Sequence, residues 1–554
     1  MAAPRAALTG GLAAAACGTI HLIGGIAVSV RESEEKGARF HKAVYRGQAL
    51  PEWVQVRLQL PRPDWPPDAA AERAYWLAWE TAVAQLRRPA ADGRLVSNYV
   101  DPCLGGTLRL ADAAWTTMFT TLAHGLVPSA EALDNFYRCQ HPDGEICQEI
   151  GADGEDHPAW VNREGLPLFT RRSGRAVPLD RPAPVPALTL DGLNHPLAAW
   201  AELCHFRQAA DAERLLEVWE PLLAQYDAMR THLRHANGLY VANWASLENS
   251  PRNAGLLCGV DISAEMVLTA RSLVELAGAV AREFDRQGEP RPGLAVRRRA
   301  AELAADADAL SARIRQAMWD EESGFFYDLR ADGSRHPVPT IAAFWTLVAG
   351  VATPEQAARL ADWLEDPRGF CAPAGPTTLA VGAEGFDPQG GYYRGAVWPA
   401  LVLMVTRGLR RYGFHDLAHA LACRHLAAVG RVADATGAIW ENYAPDGTTP
   451  GRPARPGFVG QSGTLLTLFL ESILGLEANA PMRRLDWRIH TLSYLACHQY
   501  RVGGTRVRVL APHRAEFEHP LHVSVESDQP LQIVVHYRDR SRSERIAGPR
   551  DLVL

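Results

Sequence analysis

A dozen amphipathic helical segments, separated by unusually long connections, constrain this chain more than any other feature of its sequence. The first segment begins after Asp68, a residue that favours helix N-termini. Its apolar side chains recur three and four positions apart and define one buried face: Trp76, Trp79, Val83 and Leu86. The same periodicity predicts helices at 69–88, 111–125, 129–140, 194–208, 210–236, 261–284, 294–318, 339–350, 354–365, 397–411, 415–430 and 461–476.

The connections between these helices are too long for simple turns. Four of them run over 141–193, 236–258, 366–396 and 437–460, whereas loops in compact domains have a median of about four to six residues. Long loops in a compact domain commonly carry function. The pattern predicts a mainly α fold, an (α/α)6 toroid of six helical hairpins with its loops at one mouth. A multi-domain helical protein is the alternative, while the lack of a short repeat disfavours an open solenoid.

Both ends of the chain read differently from the helical region. Residues 1–65 form a predicted β-rich segment, in which 1–17 resembles a weak export signal, 18–28 also fits a strand or hairpin, and 54–60 reads as a strand. Residues 66–480 form the predicted helical domain. Alternating apolar residues after 481 predict a small β domain over 481–554.

Composition excludes several classes of protein. Lys and Arg total 57 against 63 Asp and Glu, so the formal net charge is −6 and no basic surface for nucleic acid is expected. No stretch outside the N-terminus approaches the roughly 18 apolar residues of a membrane helix, so no membrane partner is expected. The nine cysteines are scattered singly, which disfavours structural zinc. The compartment stays open, with the cytoplasm slightly preferred, and so does the oligomeric state.

Three of the loops combine aromatic side chains with charged ones. Their sequences are WASLENSPR at 244–252, YYRGAVWP at 392–399 and WENYAP at 440–445. Aromatic faces stack on the C–H surfaces of sugars, while carboxylate, Asn and Arg groups hold hydroxyls. The sequence therefore indicates a site for an oligosaccharide or a small glycoside, although ordinary loop packing explains such clusters equally well.

Glu248 and Glu441 are the natural carboxylate pair within these loops. Glycoside cleavage requires one carboxyl group that protonates the leaving oxygen and a second that acts at the anomeric carbon or on a water beside it. Burial against Trp244 or Trp440 would raise a carboxyl pKa toward the value that a general acid requires. This chemistry needs neither a metal nor an organic cofactor, and none is expected.

The order of these segments resembles the trehalase-like (α/α)6-barrel glycosidases, in particular glycoside hydrolase family 63 and mannosylglycerate-hydrolase-like proteins. The resemblance extends over about residues 75 to 476. The segments that carry it are LAW at 77–79, AWTTMF at 114–119, LDNFYRCQHPDG at 133–144, NSPR at 249–252, YRGAVWP at 393–399, WENY at 440–443 and FVGQSG at 458–463.

The resemblance implies an inverting glycosidase that acts on an α-linked sugar. Glu248 stands at the position of the family's general acid and Glu441 at that of its general base, and the two carboxyl groups are expected about 6.5–9.5 Å apart. The remaining residues expected at the sugar pocket are Trp115, Thr116, Gln140, Arg252, Tyr393, Arg394, Trp398, Trp440, Tyr443 and Gln461.

Four positions depart from the pattern of these relatives. Glu248 replaces a usual Asp, Thr116 a common Asp, Gln461 a frequent Trp and Gly457 a frequent Asp. A changed sugar specificity accounts for all four. A catalytically weak or inactive glycan-binding protein of the same fold is the alternative, and a helical interaction scaffold is a third, which leaves the aromatic loops unexplained.

Overall fold

A computed structural model describes residues 21–23, 26–28, 35–42, 44–102, 105–163, 185–193, 195–242, 244–517 and 520–554. The export signal suggested for 1–17 lies outside these residues. Two short strands at 21–23 and 26–28 pair antiparallel. Within the described ranges, no helix has the length and hydropathy that a bilayer span requires.

Helices dominate the chain between residues 53 and 468. In chain order they are α1 (Trp53–Arg57), α2 (Ala69–Ala84), α3 (Leu110–Thr120), α4 (Asp134–Arg138), α5 (Ala198–Ala209), α6 (Ala212–Leu233), α7 (Val260–Arg286), α8 (Pro290–Met318), α9 (Trp345–Val348), α10 (Pro354–Glu365), α11 (Pro399–Arg411), α12 (His415–Thr436), α13 (Val459–Ser462) and α14 (Leu465–Leu468). A π-helical turn, Phe469–Ile473, continues α14. Each of the twelve predicted helical segments contains helical residues.

Six helices pack against one another in a closed cycle. In order of contact they are α3, α5, α7, α9, α11 and α13, and α13 returns to α3. Their N-terminal ends line one pocket, whereas their later residues and the segment after α14 line a second cavity. The six segments therefore run in the same direction, and all of them present their N-termini to the first pocket.

The remaining long helices alternate with these six along the chain. Helix α8 packs on α7, α12 packs on both α11 and α2, and α6 packs on α7. Burial follows this arrangement: α7 is buried on nearly every face, while α8 buries one stripe that includes Val296, Leu303, Leu310 and Ile314. A helix between two layers is apolar all round, and a surface helix has one apolar face.

The short strands of the helical region and the C-terminal strands complete the fold. They are β1 (His21–Ile23), β2 (Ile26–Val28), β3 (Arg62–Asp64), β4 (Leu86–Arg87), β5 (Tyr99–Val100), β6 (Thr107–Arg109), β7 (Glu149–Gly151), β8 (Leu256–Cys258), β9 (Trp319–Asp320), β10 (Phe325–Phe326), β11 (Leu329–Arg330), β12 (Cys371–Ala372), β13 (Gly375–Pro376), β14 (Leu476–Asn479), β15 (Arg484–Arg488), β16 (Leu495–Val502), β17 (Thr505–Ala511), β18 (His522–Tyr537) and β19 (Arg540–Val553).

A seven-stranded sheet is built from β3, which precedes α2, and from six strands that follow the helical region. Its order is β14-β15-β18-β17-β16-β3, with β19 also paired to β18. An irregularity in β18 between Ser527 and Leu531 divides that strand, so that its first half pairs with β17 and its second half runs parallel to β15. The sheet contacts the helices through α5, where Gly503 N donates to Gln208 O at 2.7 Å.

The predicted mainly α class with a C-terminal sheet is confirmed. The strand predicted over 54–60 is wrong, because Trp53–Arg57 forms helix α1. Alternating apolar residues in this short segment suggested a strand, but only Val56 of the helix is buried, and Val54 is exposed. The neighbouring strand of the sheet is instead Arg62–Asp64, inside the proline-rich segment.

Candidate functional site

The six N-terminal ends surround a pocket of about 880 Å³ of atom-free space, including open solvent at its mouth. The residues contributed by these ends are Asp112 and Trp115 of α3, His195 and Leu197 before α5, Asp261 of α7, Ile341 and Trp345 before and in α9, Trp398 and Leu401 around α11, and Phe458 and Gln461 around α13. Helix N-termini carry partial positive charge, which favours acidic groups nearby. Four carboxylates face this pocket: Asp112, Glu248, Asp261 and Glu441.

Glu441 is almost completely buried at the pocket wall, with 3% of its surface exposed. Its backbone N–H donates to Arg455 O at 2.9 Å, and the phenol of Tyr392 donates to its Oε1 at 3.3 Å. Burial raises the pKa of Glu441 to about 7, against the opposing effect of Arg455. The carboxyl group is therefore poised between its two protonation states near neutral pH, where acid–base catalysis is most efficient.

Glu248 follows a 3₁₀ turn, Trp244–Leu247, and precedes another, Pro251–Asn253. The side-chain amide of Asn253 donates to Leu247 O at 2.7 Å and to Glu248 O at 3.0 Å, so the backbone on both sides of this position is fixed. The side chain of Trp244 lies outside the described residues. Glu248 is partly exposed and lines the same pocket as Glu441.

Aromatic side chains form one wall of the pocket. The rings of Tyr393 and Trp398 are stacked, with centroids 4.5 Å apart and planes inclined by 4°. Tyr392 meets both rings edge-on at 4.8 and 4.9 Å. On the floor, Trp115 contacts Trp345 of α9, whose centroid lies 6.1 Å away. The arrangement provides flat apolar faces beside carboxylates.

The residues predicted at the sugar pocket divide into two groups. Those that line the pocket are Glu248, Glu441, Trp115, Tyr393, Trp398 and Gln461. Those that do not line it are Thr116, Gln140, Arg252, Arg394, Trp440 and Tyr443.

The second group is engaged elsewhere. The amide of Gln140 donates to Gly144 O at 3.0 Å and to Pro221 O at 2.8 Å. Thr116 is buried against a separate small cavity, and Arg394 Nε donates to Gly385 O at 2.9 Å. These three residues contact the protein interior rather than the pocket.

Two further residues of this group support the loop of Glu441. The Tyr443 hydroxyl accepts from the backbone N–H of Trp440 at 3.0 Å, and the Trp440 indole donates to Thr436 Oγ1 at 3.0 Å. The backbone of Tyr443 also exchanges two hydrogen bonds with Val397, both of 2.9 Å, which aligns the Trp398 segment with the Glu441 loop.

Arg252 is completely buried just behind the pocket. Its Nη2 lies 2.6 Å from Asp261 Oδ2 and donates to Ser246 Oγ at 3.0 Å, and its Nη1 is 3.4 Å from Asp328. Although burial opposes ionisation, Arg252 holds the pKa of Asp261 below its usual value. Ser246 and Asp261 both line the pocket, so Arg252 acts on its wall from outside.

Several pocket residues were not predicted. Arg109, Asp112, Gln148, Trp160, His195, Asp261 and Tyr392 belong to this group. His195 Nδ1 lies 2.7 Å from Glu265 Oε2, and despite burial this carboxylate raises the pKa of His195. Asp112 Oδ1 accepts from the Gln461 amide at 2.7 Å. A usable signal was the position of Asp112 and Asp261 in the first turns of helices whose N-termini converge.

One potential metal-binding group occurs among the described residues, away from this pocket. Asp143, Glu145 and His232 place their ligand atoms within 4.8 Å of one another. Burial raises the pKa of Glu145 to about 9, and its Oε1 lies 3.2 Å from His232 Nε2. None of the three residues lines the pocket.

Comparison with known proteins connects this site to a family. Residues 189–455, which include Glu248 and Glu441, match the model of the mannosylglycerate hydrolase MGH1-like glycoside hydrolase domain. An uncharacterized protein of Borreliella burgdorferi is 23% identical over 434 residues, covering 76% of this chain and 82% of that protein. Mannosylglycerate hydrolase of Thermus thermophilus is 38% identical over 122 residues, which is 21% of this chain.

A trehalase and a solved glycosidase structure are also similar to this chain. A probable trehalase of Eremothecium gossypii is 33% identical over 153 residues, which is 26% of this chain. These matches span 28% of the mannosylglycerate hydrolase and 20% of the trehalase. The crystal structure of the Thermus thermophilus family 63 mannosylglycerate hydrolase with Tris and D-glycerate has the same fold, with a TM-score of 0.51 and 20% identity over 72% of this chain and 99% of that one. The resemblance to trehalase-like and family 63 glycosidases is confirmed.

Proposed function

We propose that this chain is a glycoside hydrolase that cleaves an α-linked sugar with inversion, with Glu248 as general acid and Glu441 as general base. The observation that carries the proposal is that both carboxylates line one pocket beside the stacked rings of Tyr393 and Trp398. A general acid, a general base and an apolar platform for a sugar ring are the parts that inverting hydrolysis requires. The family match over both glutamates supports the same conclusion.

The proposal extends to the architecture. The closed cycle of α3, α5, α7, α9, α11 and α13 is the inner ring of an (α/α)6 toroid, and the alternating helices form its outer ring. Parallel inner helices bring six N-termini to one mouth, which collects the carboxylates from distant parts of the sequence. The proposed domain boundaries at 65/66 and 480/481 separate most of the sheet from the helices, although β14 (Leu476–Asn479) already belongs to the sheet.

The resemblance to family 63 glycosidases assigns the roles of the two glutamates. Burial raises the pKa of Glu441 to about 7, so an ionised fraction is present near neutral pH, and this form accepts a proton from the attacking water. Tyr392 donates to that ionised form. Glu248, which lines the same pocket, is the proposed proton donor to the departing oxygen, and the sugar leaves with inverted configuration.

We assign the substrate contacts to the predicted residues that line the pocket. Tyr393, whose ring is backed by the buried ring of Trp398, stacks on the sugar ring. Trp115 forms the floor, and Gln461 binds a hydroxyl together with Asp112. Three residues support the wall from behind: Arg252, Trp440 and Tyr443. Thr116, Gln140 and Arg394 contact other parts of the protein. No step requires a metal or an organic cofactor.

The test is anomer-resolved proton NMR of the protein with α-glucosides, α-mannosides, α-galactosides and sugar-acid glycosides. We expect the β-anomer to appear first with at least one substrate, and Glu441→Gln to abolish release. A first-formed α-anomer contradicts inversion. No release from any substrate, together with saturable binding by calorimetry that survives Glu441→Gln, contradicts hydrolysis and favours the glycan-binding alternative.

A further inference from the structure

Tyr392 has a backbone conformation that a tyrosine rarely adopts. Its φ is +62°, in the left-handed region, where side chains other than glycine are disfavoured sterically. Such conformations persist only where the surrounding structure enforces them, and they cluster at functional sites. Tyr392 lines the pocket, and its hydroxyl lies 3.3 Å from Glu441 Oε1. The strain is therefore located at a direct contact of the proposed general base.

The side chain of Asn249 makes hydrogen bonds to the backbone on both sides of this strained residue. Its amide nitrogen donates to Gly391 O at 2.8 Å, and its amide oxygen accepts from the backbone N–H of Tyr393 at 2.9 Å. The two hydrogen bonds flank Tyr392 in sequence, so they fix both peptide groups next to it. Asn249 itself directly follows Glu248 in the chain.

The loop leaves little room for another arrangement. Gly391 has φ +50°, and a Cβ at that position would lie 2.7 Å from Asp387 Cβ. The Tyr392 carbonyl accepts from Ala396 N at 3.2 Å, which closes the other side of the turn. Among the described residues, the hydrogen bonds of the Asn249 amide join the Glu248 loop to this turn.

We propose that Asn249 and Tyr392 are a positioning pair that couples the loop of Glu248 to the carboxylate of Glu441. This inference rests on the proposed function and adds two residues to it. Asn249 holds Tyr392 in its left-handed conformation, and Tyr392 holds one oxygen of Glu441. A displacement of the Glu248 loop therefore reaches Glu441 through three hydrogen bonds.

The electrostatics of the pocket agree with this role. Burial raises the pKa of Tyr392, and Glu441 and Glu248 raise it further, so the phenol stays protonated and can donate. The groups that face Glu441 are Arg455 of its own loop, Asp112 of α3 and Tyr392. The Tyr392 hydrogen bond lowers the pKa of Glu441, against the larger effect of burial. Its loss leaves the ionised base less stable.

The first experiment compares Tyr392→Phe, Asn249→Ala and the double variant on the substrate that the NMR panel identifies. We expect kcat to fall roughly 10- to 100-fold in each single variant, with KM within about threefold, because the reacting groups are displaced but the platform remains. The double variant should lose less than the product of the two effects, since both act through one contact. Asn249→Asp keeps the acceptor for Tyr393 N and should retain more activity than Asn249→Ala.

The pH profile separates positioning from a merely structural role. In Tyr392→Phe the acidic limb of kcat/KM should move up by roughly 0.5–1 pH unit. Tyr412→Phe is the control, because that hydroxyl donates to Ala352 O at 2.6 Å outside the pocket. It should leave kcat and the acidic limb unchanged. An active Tyr392→Phe variant with wild-type kcat and an unmoved limb overturns the inference.

A second readout does not depend on turnover. As the pH rises, the free energy of unfolding of Glu441→Gln exceeds that of the wild type by a growing amount, and this difference stops growing near the native pKa of Glu441. In the Tyr392→Phe background, the same difference should stop growing at a higher pH. An unchanged levelling point overturns the inference. A wild-type protein that cleaves no substrate contradicts the proposed function, whereas full cleavage by Tyr392→Phe contradicts only the positioning pair.

Discussion

The guanidinium of Arg252 and the carboxylate of Asp261 form a fully buried ion pair, in which Nη2 lies 2.6 Å from Oδ2. The pair joins the loop that carries Glu248 to the first turn of α7. Asp328, 3.4 Å from Arg252 Nη1, supplies a second buried carboxylate on the same cation. The removal of one partner from such a group leaves a buried charge without compensation.

Arg252→Met should therefore destabilise the protein strongly. We expect the free energy of unfolding to fall by about 3–5 kcal/mol, because Asp261 and Asp328 lose their shared cation. Arg73→Met is the control, since Arg73 and Asp434 form an exposed pair at 2.6 Å and its loss should leave the stability almost unchanged. Urea denaturation measures both. An equal effect of the two substitutions contradicts the structural role of Arg252.

Glu441→Gln should stabilise the protein at alkaline pH. The native pKa of about 7 exceeds the usual value of 4.5, so the wild type favours the protonated carboxyl. Its contribution to stability is complete below about pH 4.5 and is lost as the pH rises to 7. Above pH 7 the variant should be more stable by about 3 kcal/mol at most, and the two proteins should converge near pH 4.5. Thermal unfolding of both proteins across this pH range provides the measurement. A stability difference that does not change with pH contradicts the prediction.

Gln140 and Gln461 should respond differently to replacement by alanine. Gln140→Ala removes two hydrogen bonds inside the protein and should lower stability by roughly 1–3 kcal/mol while KM changes little. Gln461→Ala opens the pocket beside Asp112 and should raise KM about tenfold with a small change in stability. Steady-state kinetics measures KM of the two variants, and thermal melting measures their stability. The reverse pattern would show that Gln140 reaches the substrate.

Tyr393→Ala should weaken sugar binding more than it weakens the fold. The substitution removes the ring stacked on Trp398 at the pocket wall. We expect the dissociation constant for a bound sugar to rise about tenfold, because one aromatic face of the pocket is lost. Calorimetry in the Glu441→Gln background measures binding without turnover. Tyr393→Phe keeps the ring and should bind nearly as well, and equal losses in both variants would rule out stacking as the cause.

The helical part of the fold could be predicted because its signal is local. Trp76, Trp79 and Val83 recur at the spacing of one helical face, and the predicted segment begins at the same residue as α2 and ends four residues after it. The error at Trp53–Arg57 has the same origin, since five residues do not contain enough periodicity to distinguish a helix from a strand. The strand Arg540–Val553 was missed because most of its residues are polar and exposed, so alternation is weak.

The site was only partly predictable for a different reason. Glu248 and Glu441 stand out because aromatic residues surround them in sequence, whereas Asp112 and His195 reach the pocket only through helix convergence. Arg252 was predicted at the sugar pocket, whereas the structure buries it behind the pocket wall, where it pairs with Asp261, nine residues away, and Asp328, 76 residues away. The spacing of residues in the sequence shows which of them lie on the same loop, but it does not show which loops line the same wall of the pocket.

The pairing of β3 with β16 has a consequence for how this chain folds. Arg62–Asp64 occupies the edge of a sheet whose other strands all follow the helices, with Cys497 opposite Pro63. On the ribosome, the early strand must wait until the entire helical region has been synthesised before its partner emerges. Contacts of such high sequence separation slow folding. We expect completion of the sheet to be the late step, and an interrupted chain to be released with an unpaired edge that chaperones would have to protect.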